Sequence, residues 1–144
     1  MVGSLVPDVE LVGIDKNKLN LLDLKGSVIF INFWATWCES CVDEIPSIEN
    51  LYNNFPKNSK FKIITIIYKD SGNNALDYMK ENGYTFPVYL NPDSTAAKKF
   101  GITGVPESFI IDKKGILREK VIGPAKWDSL GALEMFTNLL NEPV

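Results

Sequence analysis

The order of apolar runs along this chain predicts an α/β domain, a mixed β-sheet covered by helices. Three observations carry that expectation. Val28–Trp34 and Phe61–Tyr68 are nearly continuous β-favouring apolar runs, the pattern of strands buried on both faces. Each is followed by a stretch with helical spacing. A hairpin and an amphipathic segment then close the chain, so β and α segments alternate before a final antiparallel return.

The elements follow in order. Asp8–Val12 and Lys18–Leu21 alternate like two short strands around Gly13–Asn17, an N-terminal hairpin within residues 1–25. Lys25-Gly26 makes a turn into the Val28–Trp34 strand. Ile45, Ile48, Leu51, Tyr52 and Phe55 recur at helical spacing. Pro46 lies inside that stretch, where proline implies a kink or a helix that restarts. After the Phe61–Tyr68 strand, Asn74–Glu81 reads as a helix stopped by Asn82-Gly83. Pro87–Leu90 reads as a short strand, and Ser94–Phe100 as a short helix ended by Gly101. Glu107–Ile111 is a third sheet strand, turned by Lys113-Lys114-Gly115, with Leu117–Ile122 returning antiparallel. A last helix is expected from about Trp127 to Leu140, with Leu130, Leu133, Phe136, Thr137 and Leu140 on one face.

Composition bounds the function. The 144 residues fit one domain, 1–144, and a chain of this size buries about 70% of its unfolded surface. Hydrophobic residues at 45% and charged residues at 23% are globular values, which argues against disorder. A net charge of −3 leaves no basic face for nucleic acid. No apolar run approaches the ~20 residues needed to span a bilayer, and no export signal is visible at Met1–Ser4. The protein is therefore either cytoplasmic or exported by a segment outside this sequence. The chain has no histidine, which removes Cys/His catalysis, Cys₂His₂ zinc and c-type haem attachment; Val42 follows the second cysteine. No metal and no bound cofactor are expected.

The chain holds only two cysteines, in Trp37-Cys38-Glu39-Ser40-Cys41. An i, i+3 pair at a helix start brings two Cα atoms to about 5–6 Å, close enough for a disulfide without backbone movement. A helix N-terminus favours a thiolate through its unsatisfied N–H groups and macrodipole. The alternative is a fixed staple, but so short a loop constrains the unfolded chain by only about 2 kcal/mol. Glu39, between the thiols, disfavours a neighbouring thiolate and so predicts a reducing couple; it also reads as a plain solvated acid. Glu39 and Ser40 are the candidate redox-tuning residues. Glu44 falls one helical turn after Cys41, so the two can face the same region.

Asn32–Cys41, Glu44-Ile45-Pro46 and Gly104–Asp112 together resemble the thioredoxin fold, in its TlpA/ResA-like branch, which includes the cytochrome c maturation thioredoxins. The N-terminal hairpin and the extra strand–helix block before Gly101 resemble that branch too. The resemblance covers nearly the whole chain. It implies that Cys38 attacks and Cys41 resolves. It implies a cis-proline loop at Val105-Pro106 facing the cysteines, with the Val105 backbone pairing an extended client. Asn32 stands where thioredoxin has a buried, proton-accepting Asp, and Glu44 matches a glutamate that takes over acid–base work; a capping or surface acid is the plainer reading. Glu107 resembles the Pro-Glu of the cytochrome c maturation members, which implies a place in the client-binding site with Trp37, Val105 and Pro106, or else is an edge-strand charge. Trp34 is expected in the core, Trp37 beside Cys38 in the client site and shielding it, and Trp127 as a helix-start packing residue.

The activity so implied is a thiol:disulfide oxidoreductase, a monomer outside the cytoplasm, reducing disulfides of exported proteins. Apocytochrome c is a plausible client class, and a membrane thiol reductant would regenerate the dithiol. Two rivals stand beside it. A peroxide reductase on the same fold would need a Thr/Pro/Cys constellation and an activating Arg. A non-catalytic module would hold client thiols without turnover.

Overall fold

Seven consecutive apolar-dominated residues place β3 (Val28–Trp34) at the centre of the molecule, every one of them buried. The computed structural model describes all 144 residues. β3 pairs in parallel with β4 (Phe61–Ile67) and antiparallel with β6 (Glu107–Ile111), so the sheet is mixed. β7 (Leu117–Ile122) extends it beyond β6, with a register shift at Ile110/Ile111. On the other side β5 (Val88–Leu90) follows β4 in parallel. The N-terminal hairpin, β1 (Glu10–Gly13) and β2 (Lys18–Asn20), then adds to β5. The order is β2-β1-β5-β4-β3-β6-β7.

Strand alternation divides the core between two faces. Val28, Phe30 and Trp34 pack with Ile45, Ile48 and Leu51 of α1 (Glu39–Asn54) and with Phe136 and Leu139 of α4 (Leu130–Asn141). Ile29, Ile31 and Phe33 pack on the opposite face with Leu11, Leu21, Phe109 and Phe100 of α3 (Thr95–Phe100). Each such side chain stabilises the fold by about 1.5–3 kcal/mol through lost apolar surface. Asn32 is the exception in β3: fully buried on the α1 face, between Phe30 and Trp34.

Local chemistry sets the helix ends. Ser71 caps α2 (Gly72–Asn82) by accepting from Asn74 N, and Gly83 closes it with φ +67°. The expected hairpin, strands and closing turn are all present. Two expectations are corrected. α1 is one continuous helix through Pro46, whose exposed ring faces solvent, so no second helix begins there. α4 begins at Leu130 rather than Trp127, because Ser129 is its N-cap and accepts from Ala132 N at 3.2 Å. Leu130 and Thr137, expected on the packed face, are exposed, and Phe136 and Leu139 are the buried residues of the helix. Trp127 precedes the helix and points into the core, its ring 4.7 Å from that of Phe30.

Candidate active site

The end of β3 and the start of α1 deliver the cysteines. Cys38 is the N-cap of α1 in extended conformation, and its sulfur accepts from Cys41 N at 3.2 Å. The two cysteines are joined as a disulfide with Cα atoms 5.2 Å apart, inside the separation expected from their spacing. Cys38 retains 8% exposure, whereas Cys41 is fully buried one turn inside. Only the outer sulfur is open to an incoming thiol or disulfide, and it is the one on the helix N-terminus, where partial positive charge favours a thiolate. Ser40 Oγ lies 3.5 Å from Cys38 Sγ, near enough to donate to a thiolate there. Glu39 is exposed in the first turn.

The loop between β3 and Cys38 is fastened from the loop that follows β4. Asp70 Oδ2 accepts from Thr36 N at 2.8 Å and Thr36 Oγ1 at 2.6 Å, while its Oδ1 accepts from Ser71 N and Asn74 Nδ2. Burial pushes the Asp70 carboxyl upward, but these four donors outweigh it and hold it below its ordinary value. Trp37 Nε1 donates to Lys69 O at 3.0 Å, which holds an otherwise 59%-exposed indole beside Cys38. Trp37 therefore presents an exposed apolar surface in the residue that precedes Cys38.

Across from the cysteines, the Val105–Pro106 peptide bond is cis. Val105 O is 3.8 Å from Cys38 Sγ, so the loop and the pair form one surface. Pro106 O accepts from Gly123 N at 2.9 Å. Glu107 is not an edge charge: β6 lies between β3 and β7, and the residue is buried. Its Oε2 accepts from Thr103 N at 3.0 Å and Gly104 N at 3.2 Å, and Lys120 Nζ is 3.8 Å from Oε1. The carboxylate thus braces the loop ahead of Pro106 from within, which corrects the expectation of a direct client contact.

Glu44 is also buried, about one helical turn after Cys41 on α1. Its Oε1 accepts from Asn32 Nδ2 at 3.0 Å. Its Oε2 accepts from Ala125 N at 2.8 Å and Trp127 Nε1 at 2.9 Å. Asn32 Nδ2 also donates to Ser108 Oγ at 2.8 Å, leaving its Oδ1 buried without a partner. Loss of solvent raises the Glu44 carboxyl above its ordinary value, and the bonds from Ala125, Trp127 and Asn32 oppose that without cancelling it. Beside it, Asp43, Ser47, Asn50, Pro124, Lys126 and Asp128 border an open, polar cleft of about 480 Å³. The arrangement gives a buried carboxyl a raised affinity for a proton at the border of a cleft open to water.

The structure thus brings Ser40 and Val105 to the Cys38 sulfur, with Trp37 exposed as the preceding residue and Cys41 sealed behind Cys38. Pro106 is buried in the facing loop, Glu44 lies a turn further along α1 and Glu107 behind the proline loop. Sequence reasoning missed Thr36, Asp70, Ala125 and Trp127. For Asp70 a signal existed: an acid immediately before a helix-capping Ser at the end of a buried strand. For Trp127 there was none beyond its being a polar-tipped aromatic.

With this geometry in hand, comparison with known proteins gives a consistent result. The AhpC/TSA family model matches residues 2–120. The thiol-disulfide oxidoreductase ResA of Bacillus thuringiensis (strain Al Hakam) is 31% identical over 137 residues, 94% of this chain and 79% of that protein. A thiol:disulfide interchange protein of the thioredoxin family from Chlorobium tepidum TLS superposes with a TM-score of 0.82 at 26% identity, covering 98% of this chain and 99% of that one. The pneumococcal exposed lipoprotein thioredoxin of Streptococcus pneumoniae superposes at 0.76 with 25% identity, covering 92% and 99%. The fold is the thioredoxin fold, and the cysteine pair is that of a thiol-disulfide oxidoreductase. The chain belongs to the AhpC/TSA family, among the thiol-disulfide oxidoreductases similar to ResA.

Proposed function

We propose that the protein works as a reductant of disulfides in exported proteins, with the cysteines of apocytochrome c as a client class. The observation that carries this reading is the unequal setting of the two sulfurs: Cys38 partly open at a helix N-cap beside Val105 O, Cys41 sealed behind it. The Cys38 thiolate attacks one client sulfur. The client S–S bond breaks, a Cys38–client disulfide forms, and the released client thiolate takes a proton. Cys41 then gives its proton to the Glu44 carboxylate, and its thiolate attacks Cys38 Sγ. The Cys38–Cys41 bond forms, and the second client thiolate leaves and is protonated. Two electrons pass from the pair to the client, so the pair itself is the redox group and no bound cofactor enters. A membrane thiol reductant restores the dithiol.

The reducing direction is supported by Glu39, which lies between the two cysteines in sequence, exposed in the first turn of α1, where its negative charge opposes the helix field that would stabilise the reduced thiolate. A setting outside the cytoplasm is supported by the likeness to an exposed lipoprotein thioredoxin. No helix is long and apolar enough to cross a membrane. The peroxide-reductase rival lacks its activating cation: the chain's single arginine, Arg118, is bonded to Asp112 and Glu142.

Two measurements test the reading together. Cys41→Ser should accumulate a disulfide-linked complex with a reactive-disulfide client, and Cys38→Ser should not. The couple, equilibrated with glutathione, should be more reducing than the glutathione pool. A potential near that of a strong oxidant, about −120 mV, would overturn the reductase direction.

A further inference from the structure

We propose that Trp127 is the positioning residue of the active site: its indole N–H, together with the Ala125 amide, fixes Glu44 Oε2 on the cysteine side of α1. This rests on the reading that Glu44 handles the Cys41 proton. The indole nitrogen is 2.9 Å and the Ala125 nitrogen 2.8 Å from the same carboxylate oxygen, delivered from a segment more than 80 residues downstream. A buried indole N–H ordinarily finds some partner. Here the partner is a carboxylate oxygen shared with the Ala125 amide, whereas the likewise buried Trp34 Nε1 has none.

The segment carrying these donors is itself anchored at both ends. Gly123 N donates to Pro106 O at 2.9 Å, and Trp127 N donates to Ser47 Oγ at 3.1 Å, which in turn donates to Glu44 O at 2.8 Å. The indole is wedged between Phe30 and Phe136, with ring centroids 4.7 Å and 6.3 Å away, so its N–H has little freedom to turn from the carboxylate. Residues 123–127 therefore tie the proline loop, α1 and the buried carboxyl into one rigid assembly.

No cation competes with the indole for Glu44 within hydrogen-bonding distance. The charged or titratable groups around it are Cys41 and Asp43 on α1, and Lys126 and Asp128 on the segment that packs against it, the last three bordering the cleft. Asn32 of β3 and Ser108 of β6 are uncharged. The indole N–H bond is a donor that favours the ionised carboxyl. Deleting it should make the carboxyl harder to ionise while leaving the apolar packing largely in place.

The test is a ¹³C NMR titration of the Glu44 side-chain carboxyl in the oxidised protein, paired with single-turnover thiol exchange across pH. Trp127→Phe keeps an aromatic ring against Phe30 and Phe136 and removes the donor. The expected result is a roughly tenfold fall in the Glu44 ionisation constant, the size of one charge-assisted hydrogen bond. The exchange profile should move to higher pH, and the move should vanish on a Glu44→Gln background. If Trp127→Phe does not fold, 3-benzothienylalanine at position 127 alone replaces the N–H with sulfur at nearly the same shape. A Glu44 titration unchanged by removal of the N–H overturns the positioning role, even if stability falls. A titration that moves while the exchange profile does not supports the positioning role and overturns the proton-handling reading of Glu44.

Discussion

Asp70 and Glu44 are two carboxyls that brace the same active site and respond in opposite ways to the protein around them. Asp70, half-buried at the end of β4, takes four hydrogen bonds and is held below its ordinary value. Glu44, buried about one helical turn after Cys41, takes three and still lies above its own. The difference is solvent. Where water still reaches the group, donors win; where burial is nearly complete, desolvation wins despite good donors. Asp70 is thereby a fastener for Thr36 that stays charged to lower pH than a free aspartate, and Glu44 a carboxyl that holds a proton more readily than a free glutamate.

The largest expected effect tests the fastener. Asp70→Ala strips Thr36 N, Thr36 Oγ1, Ser71 N and Asn74 Nδ2 of their acceptor and should cost about 3 kcal/mol in urea unfolding, discounted for partial exposure. A loss below about 0.5 kcal/mol would mean water replaces the carboxylate without penalty.

The pH dependence of stability sharpens the contrast, because the two groups contribute with opposite sign. Asp70 ionises at lower pH folded than unfolded, so its contribution is present above its ordinary value of 3.8 and is lost as pH falls through the folded value. Glu44 ionises at higher pH folded than unfolded. Its contribution is complete below its ordinary value of 4.5 and is lost as pH rises through the folded value. Unfolding free energies from pH 3 to 9 should show Asp70→Asn flattening the acid limb. Glu44→Gln should remove a decline above pH 4.5. Exchanged behaviour between the two variants would reverse the assignment. The smallest effect concerns Thr36: Thr36→Val keeps the amide bond to Asp70 and loses the hydroxyl one, a change of about 1 kcal/mol.

Much of the frame was legible because it is written locally. β3 and β4 announce themselves as unbroken apolar runs, Gly83 and Gly101 end their helices at positive φ, and the cysteine spacing alone brings their Cα atoms within disulfide reach. What was not legible depends on partners far along the chain. The reading of Trp127 as the start of α4 followed apolar spacing, but the Ser129 cap starts the helix later and frees Trp127 to reach Glu44, 83 residues earlier. Glu107 looked like an edge charge because its own residue type says nothing of β7 lying outside it, nor of the Thr103 and Gly104 amides it receives. Asp70 and Thr36 are 34 residues apart, and no periodicity links them.

The central claim, that a buried Glu44 serves the cysteine pair as its proton acceptor, is tested most directly by the pH profile of single-turnover disulfide reduction by Glu44→Gln. A proton-accepting Glu44 predicts a loss of about 100-fold near neutrality, the lower end of general acid–base contributions, together with loss of the Glu44-dependent limb of the profile. A variant profile that superposes on that of the wild type, in rate and in shape, would contradict it.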